Sequence, residues 1–281
     1  MRVLVLGATG MAGHVIFQYL KETGHEVLGT KFRNRKFKTL FSLDATNFTS
    51  VKELVNNVKP DAVVNAIGVL VSESKENPVR SITLNGVLPH FLSELAQKKR
   101  IKFVHISTDC VFSGRNGNYK ESSFRDADDL YGRSKAIGEL NNSRDLTIRT
   151  SIIGPEVSCN GSGLFDWFMG QTTVISGFSN VMWSGVTTIA LARGISSAIS
   201  QDLSGLYHLT NGIKISKYEL LGLMKNIFKR DILIEENGEY FSDKSFTDSR
   251  QELKYQVPGY EELVLEMYNY IRKNKSSYPH Y

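Results

Sequence analysis

An apolar run, Arg2-Val3-Leu4-Val5-Leu6, breaks at Gly7-Ala8-Thr9-Gly10-Met11-Ala12-Gly13 and passes straight into a segment of helical period, Met11–Glu22. Few local patterns constrain a fold so tightly. The run reads as a buried strand and the periodic segment as a helix packed on it. Gly7 permits the tight turn, Gly10 lets a backbone approach an anion, and Gly13 allows close helix–strand packing. The helix start then offers unpaired N–H groups and a partial positive charge. The spacing is G-x-x-G-x-x-G, and its place after the first strand of a βαβ unit predicts a turn that holds a dinucleotide pyrophosphate, with Thr9 and Met11 beside the glycines.

The same alternation continues down the chain. His25–Gly29, Asp61–Asn65, Lys102–Ile106 and Leu146–Arg149 read as further buried strands. Ser50–Val58, Val79–Lys98 and Leu130–Asn141 read as the helices between them, with Pro89 kinking the second or marking a junction. This is the pattern of an α/β doubly wound parallel sheet, a Rossmann fold covered on both faces. From Pro155 to Asn180 the period dissolves into Gly, Ser and Asn with scattered aromatics. It returns as helices at Val186–Ile199, Lys217–Phe228 and Tyr260–Lys273, with short strands at Leu206–Leu209 and Ile232–Glu235. The organisation expected is a nucleotide-binding domain over 1–154, completed by about 181–210. A smaller C-terminal substrate-binding region is expected over 155–180 and 211–281.

Composition narrows the class. With 41% hydrophobic and 22% charged residues among 281, the chain is globular rather than disordered, and long enough to bury a core without staples. Two cysteines cannot build a disulfide framework, and six scattered histidines show no metal-ligand spacing, so no metal site is expected. There is no apolar run of membrane-spanning length, and the opening run is too short for a secretory signal. A cytoplasmic protein without a membrane partner is expected. The net charge of +5 favours an anionic ligand, but the basic residues are interspersed with acids, so nucleic acid is not the expected partner.

After the second strand the chain lacks the acid that would bind a ribose 2′-hydroxyl. It reads Lys31-Phe32-Arg33-Asn34-Arg35-Lys36 instead. An Arg can meet a 2′-phosphate with a planar fork of donors, so Arg33 or Arg35 points to NADPH rather than NADH. Asp44 stands where an adenine amino group could be bonded, or where a loop needs a cap.

Ser107-Thr108-Asp109 closes the fourth long strand, and Tyr131-Gly132-Arg133-Ser134-Lys135 opens a helix beyond it. Tyr and Lys at i and i+4 share one helix face, so an ammonium beside the phenol is expected to lower its pKa. Tyr131 then serves as proton donor to a carbonyl oxygen, and Thr108 as a second hydrogen bond to the same oxygen.

With these residues the chain resembles the extended short-chain dehydrogenase/reductases, and within them the dTDP-4-dehydrorhamnose reductase-like family. The resemblance covers nearly the whole chain. It rests on the Gly7/Gly10/Gly13 turn, Asn65-Ala66, Leu84-Asn85, Ser107-Thr108-Asp109 with Val111-Phe112-Ser113-Gly114, Tyr131 to Lys135, Arg149-Thr150-Ser151 and Trp183-Ser184-Gly185-Val186-Thr187-Thr188. It implies that Thr108, Tyr131 and Lys135 are catalytic, and that Asn65, Ala66 and Lys135 meet the ribose or nicotinamide of NADPH. It also implies that Asp109, Val111, Phe112 and Trp183 border the pocket of a nucleotide-linked 4-ketosugar. A homodimer is compatible with it. Cys110 stands where relatives carry an aromatic residue, and UDP-linked 2-acetamido-4-ketohexose reductases and an NADP-binding regulatory subunit of methionine adenosyltransferase share the pattern. Arg250 is the candidate contact to the substrate pyrophosphate, since its fork matches two phosphate charges. His105 is expected in the core. Pro155–Asn180 is expected as a mobile wall over the nicotinamide, and Phe165, Trp167, Phe168 and Met169 fit either a base-stacking surface or a satellite core.

Overall fold

A computed structural model describes residues 1–32, 39–158 and 161–281. Arg33 and Arg35 lie outside the described residues. Six strands of the main sheet are β1 (Arg2–Leu6), β2 (Glu26–Lys31), β3 (Phe41–Ser42), β4 (Ala62–Asn65), β5 (Lys102–Thr108) and β6 (Leu146–Thr150). With the edge strand Gly205–His208 they form a seven-stranded parallel sheet, ordered Gly205–His208, β6, β5, β4, β1, β2, β3. Side chains alternate across it. Val3 and Val5 enter one core with Val15, Ile16 and the helix Thr188–Ser200, while Leu4 and Leu6 enter a second core with Val51, Val55, Leu88 and Leu92. Burial on both faces explains why the strands read as continuous apolar runs.

The sheet register sets the site. Leu6 lies beside Asn65, Asn65 beside His105, and Thr108 beside Thr150, so the carboxyl ends of β1, β4, β5 and β6 form one ledge. Ligands bind outside such a ledge, where loops lead into helices.

Elements beyond His208 build over this ledge. Val181–Trp183 pairs with Ile215–Ser216 and Ser242–Asp243, and Ile175–Phe178 pairs with Ile234–Asn237. The helix Lys217–Phe228 starts at a capping box, in which Ser216 and Glu219 satisfy each other's backbone N–H groups.

The junction expected at Pro89 is present: Pro78–Ser81 passes through a π-helical stretch, Ile82–Val87, into Leu88–Lys99, whose first turn takes Pro89. Two other expectations change. The helix at Leu130 stops at Gly138, short of Asn141. Pro155–Asn180 is not featureless either, since it holds the helix Leu164–Met169 and the strand Ile175–Phe178. Phe165 and Phe168 are fully buried, and Phe165 packs on Phe228 and Tyr281, so they are core and not a base-stacking surface. The C-terminal tail secures that segment, with the Tyr281 hydroxyl donating to Asp166 at 2.6 Å and accepting from the Glu156 amide at 3.0 Å.

Candidate active site

The glycine turn is built by two different demands. Gly7 has φ +80°, its amide donates to the Thr30 hydroxyl at 3.0 Å, and a Cβ there would crowd Ala66 at 3.2 Å. A Cβ on Gly13 would fall 2.0 Å from the Gly7 carbonyl oxygen. The chain itself therefore forbids side chains at both. Gly10 is exposed, and a Cβ there would meet nothing nearer than 3.5 Å. What Gly10 keeps clear is space above the start of the helix Met11–Glu22, which has no side-chain cap. Open backbone donors under clear space fit a dinucleotide pyrophosphate. Thr9 lies half-buried in the turn, and Met11 reaches Gly163, whose amide donates to the Glu156 carboxylate.

Asp44 follows β3 and is exposed, with its Oδ1 accepting from the amide and hydroxyl of Thr46 at 3.0 and 2.7 Å. It shapes its own turn. Asn65 is fully buried at the end of β4, bonded to His105 Nδ1 at 3.2 Å and to the Ile67 amide. His105 is in the core, and its imidazole is held neutral by burial and by Lys135. Asn85, on the π-helical stretch, holds the loop after Asn65 by accepting from the Val69 amide at 2.9 Å and donating to the Val69 carbonyl at 3.0 Å.

Gly132 decides where Tyr131 goes. A Cβ at Gly132 would lie 2.1 Å from the Cys110 carbonyl, so the first turn of the helix Leu130–Gly138 sits directly on the Asp109–Val111 turn. Asp129 caps that helix through the Gly132 amide at 2.8 Å. The Tyr131 phenol is thereby brought beside Thr108, whose side chain favours its ionised form. Thr108 Oγ1 also donates to Asp109 at 3.1 Å.

The electrostatics differ from the expectation. Lys135 is buried and donates to the Ile106 carbonyl at 2.6 Å instead of lying against the phenol. Burial lowers its pKa to about 8, partly offset by Glu139. Burial raises the Tyr131 pKa, the ionisable neighbours Cys110, Asp109 and Asp129 add to the rise, and Thr108 opposes it. Tyr131 is thus a neutral phenol at neutral pH, the protonation state a proton donor needs. Burial and Asp109 push the Cys110 thiol up to about 12, leaving it protonated and inert.

The remaining positions separate. Trp183 is nearly fully buried, with its ring 5.7 Å from that of Tyr260 and 5.1 Å from the Lys217 Nζ, and its Nε1 has no partner. Asp109 is buried beside Thr108. Val111 and Phe112 are fully buried; Phe112 stacks on Tyr119 at 4.0 Å under the Arg149 guanidinium, so both are packing residues beneath the site rather than pocket lining. Arg149 is itself enclosed, paired with Glu139 at 2.6 Å and contacting His208 at 2.7 Å, and it braces β6 at the floor of a cavity that Glu121, Arg125 and Glu139 also line. Arg250 lies at the wrong end of the sheet. Its guanidinium covers the Tyr207 ring at 3.9 Å and bonds the Ser204 carbonyl and Glu252, at the amino end of the edge strand. The residues that sequence reasoning missed are Asn85 as a loop anchor, and Lys217 and Lys244 near Asp109 and Cys110. No local pattern marks these lysines, because they come from elements far apart in sequence.

A family model described as the RmlD substrate binding domain matches residues 1–233. The chain belongs to that family. Its RmlD-like fold is also that of a dTDP-4-dehydrorhamnose reductase from Bacillus anthracis solved in complex with NADP: TM-score 0.82, 21% identity, covering 96% of this chain and 99% of that one. A probable low-salt glycan biosynthesis reductase of Haloferax volcanii is 34% identical over 143 residues, 50% of this chain and 48% of that protein. The match therefore spans about half the length of that relative. Methionine adenosyltransferase 2 subunit beta of Xenopus laevis is 24% identical over 252 residues, 81% of this chain and 72% of that protein. Among the described residues, no helix of this RmlD-like chain is long and apolar enough to cross a membrane.

Proposed function

We propose that the chain uses NADPH to reduce the C4 ketone of a nucleotide-activated 6-deoxy-4-ketohexose, for deoxysugar and surface-polysaccharide assembly. The observation carrying this reading is the close seat of the Tyr131 helix turn on the turn that follows Thr108, at the carboxyl end of β5, two strands from the glycine turn. The Gly7–Gly13 turn would hold the cofactor pyrophosphate, Asn65, Ala66 and Lys135 its ribose and nicotinamide, and Asp44 its adenine. Arg33 and Arg35 would hold the 2′-phosphate. Bound NADPH supplies the hydride. Tyr131 gives its phenolic proton to the carbonyl oxygen, and Thr108 turns from Asp109 to donate a second hydrogen bond to that oxygen. Trp183 closes the far side of the pocket.

The test is NADPH oxidation by the purified protein with dTDP- and UDP-linked 4-ketosugars, with and without a 2-acetamido group. Turnover with a dTDP-linked 6-deoxy-4-ketosugar is the expected result. Preference for a UDP-linked 2-acetamido sugar would move the reading to that substrate. The similarity to the methionine adenosyltransferase subunit supports a second reading, an NADP-binding regulatory subunit. Tight NADPH binding with no turnover across the panel would establish that reading instead.

A further inference from the structure

The tail after the helix Tyr260–Lys273 reaches the glycine turn from two sides. Tyr278 is fully buried, and its ring stands edge-on to that of His14 with centroids 5.7 Å apart. His14 Nδ1 lies 2.8 Å from the Gly10 carbonyl oxygen, and its Nε2 lies 2.7 Å from the Tyr278 hydroxyl. Burial lowers the imidazole pKa, so the ring is neutral and carries one proton. A carbonyl can only accept, so that proton sits on Nδ1, and the Tyr278 hydroxyl donates to Nε2. The Gly10 carbonyl also accepts from the His14 amide at 3.1 Å, and the Gly10 amide donates to the Gly7 carbonyl at 3.0 Å. Through one imidazole, Tyr278 therefore holds the residue that keeps space clear above the helix start.

Tyr281 reaches the next residue along. Its hydroxyl ties the Glu156 amide to Asp166, which lies in the first turn of the helix Leu164–Met169. Glu156 in turn accepts from the amide of Gly163, the residue that starts that helix, at 2.8 Å. A Cβ at Gly163 would strike Met11 Cε, so this backbone lies directly on Met11. Gly10 and Met11 are consecutive, and a different tyrosine reaches each of them. A glycine at the helix start brings no side-chain cap and the freest backbone of any residue, so the aim of the open amides depends on what holds Gly10 and Met11.

We propose that Tyr278 and Tyr281 are positioning residues for the dinucleotide: they strap the helix start so that its amides are aimed at the pyrophosphate before it arrives. This rests on the reading of the glycine turn as the cofactor site and is independent of the sugar. Linkage makes the effect reciprocal, so whatever the strap adds to cofactor binding the cofactor adds to the strap.

Fluorescence titration of the full chain with NADPH, and hydrogen exchange of residues 275–281 with and without it, test the strap. Tyr278→Phe and Tyr281→Phe keep both rings and remove one hydroxyl each, and each should weaken NADPH binding roughly 5-fold. In turnover with the best ketosugar, KM for NADPH should rise by the same factor, with kcat and the sugar KM unchanged. Saturating NADPH should slow exchange at the Tyr278 and Tyr281 amides, which bond the Lys275 and Tyr278 carbonyls. Unchanged NADPH affinity in both variants, whatever their melting temperatures, would overturn the strap and leave the tyrosines as packing. Tail exchange that ignores saturating NADPH would overturn it too. A wild-type chain that binds no dinucleotide would overturn the strap together with the cofactor reading. Hydroxyl-dependent NADPH binding without reduction of any ketosugar would leave the strap standing and remove only the reductase reading.

Discussion

The two walls of the cleft are made by different means. On the side proposed for the cofactor the surface is backbone: a left-handed Gly7, a helix start without a side-chain cap, and a Gly10 that keeps space clear. On the side proposed for the sugar it is side chain: Trp183, Lys217 and Lys244 come from three separate segments, with the Lys217 Nζ against the Trp183 ring and both lysines near Asp109 and Cys110. Backbone recognition needs a fixed short spacing and is therefore written locally. Side-chain recognition needs only that remote segments meet, so it leaves no spacing to read, and the sugar wall can change its specificity without disturbing the cofactor wall.

The sharpest break between the walls is at Tyr131. Tyr131→Phe should lower turnover by roughly 10²- to 10⁴-fold, since it removes the proton donor, while NADPH affinity stays unchanged. Steady-state rates and a cofactor fluorescence titration read both, and equal losses in the two would tie Tyr131 to the cofactor wall.

A contrast between two glycines comes next. Gly13→Ala drives a methyl into the Gly7 carbonyl and should destabilise the protein by about 3 kcal/mol, even without cofactor. Gly10→Ala meets no atom inside 3.5 Å and should change stability by less than about 1 kcal/mol while weakening NADPH binding. Chemical denaturation with and without NADPH separates the two. If Gly10→Ala left NADPH affinity intact, the space above the helix start would not be where phosphate sits.

The smallest effect concerns His208, at the end of the edge strand. Burial and the adjacent Arg149 lower its pKa to about 3. Between that value and the ordinary 6.5 the unfolded chain carries the extra proton. Stability therefore falls as pH drops below 6.5, by about 1.4 kcal/mol per unit. His105, also held neutral, acts in the same direction. Denaturation curves at pH 7, 6 and 5 should show a slope shallower by about one proton in His208→Asn. An unchanged slope would mean that His208 protonates in the native state and that Arg149 does not bear on it.

Some elements were legible to the residue. The helices Met11–Glu22, Lys217–Phe228 and Tyr260–Lys273 have the bounds their apolar period predicts, because each buries one continuous stripe. The helix Leu164–Met169 was not legible, since six residues give less than two turns of period. The π-helical Ile82–Val87 was not legible either. Its widened turn answers a neighbour: Gly86 lies under Ile137, and the Asn85 carbonyl fills the space that a Cβ on Gly138 would need.

Within the site, the sequence placed the glycine turn after β1, Thr108 at the end of β5 and Tyr131 at the start of the helix beyond it, because each follows from a strand end or a helix start. It misjudged charge and direction. The Tyr131 phenol is raised where an adjacent ammonium was expected to lower it, because the protein satisfies Lys135 with a β5 carbonyl. Arg250 is a good phosphate ligand by type, but the chain carries it to the amino end of the sheet.

What the sequence determined by itself was the strand–helix alternation that builds the doubly wound sheet, and the glycine turn, because both patterns are written in residues close along the chain. The tertiary structure alone decided which lysines lie near Asp109 and which aromatics are merely packed. Those depend on where the elements after β6 fold back over the ledge, and the long-range packing that puts them there has no signature in any one stretch of sequence.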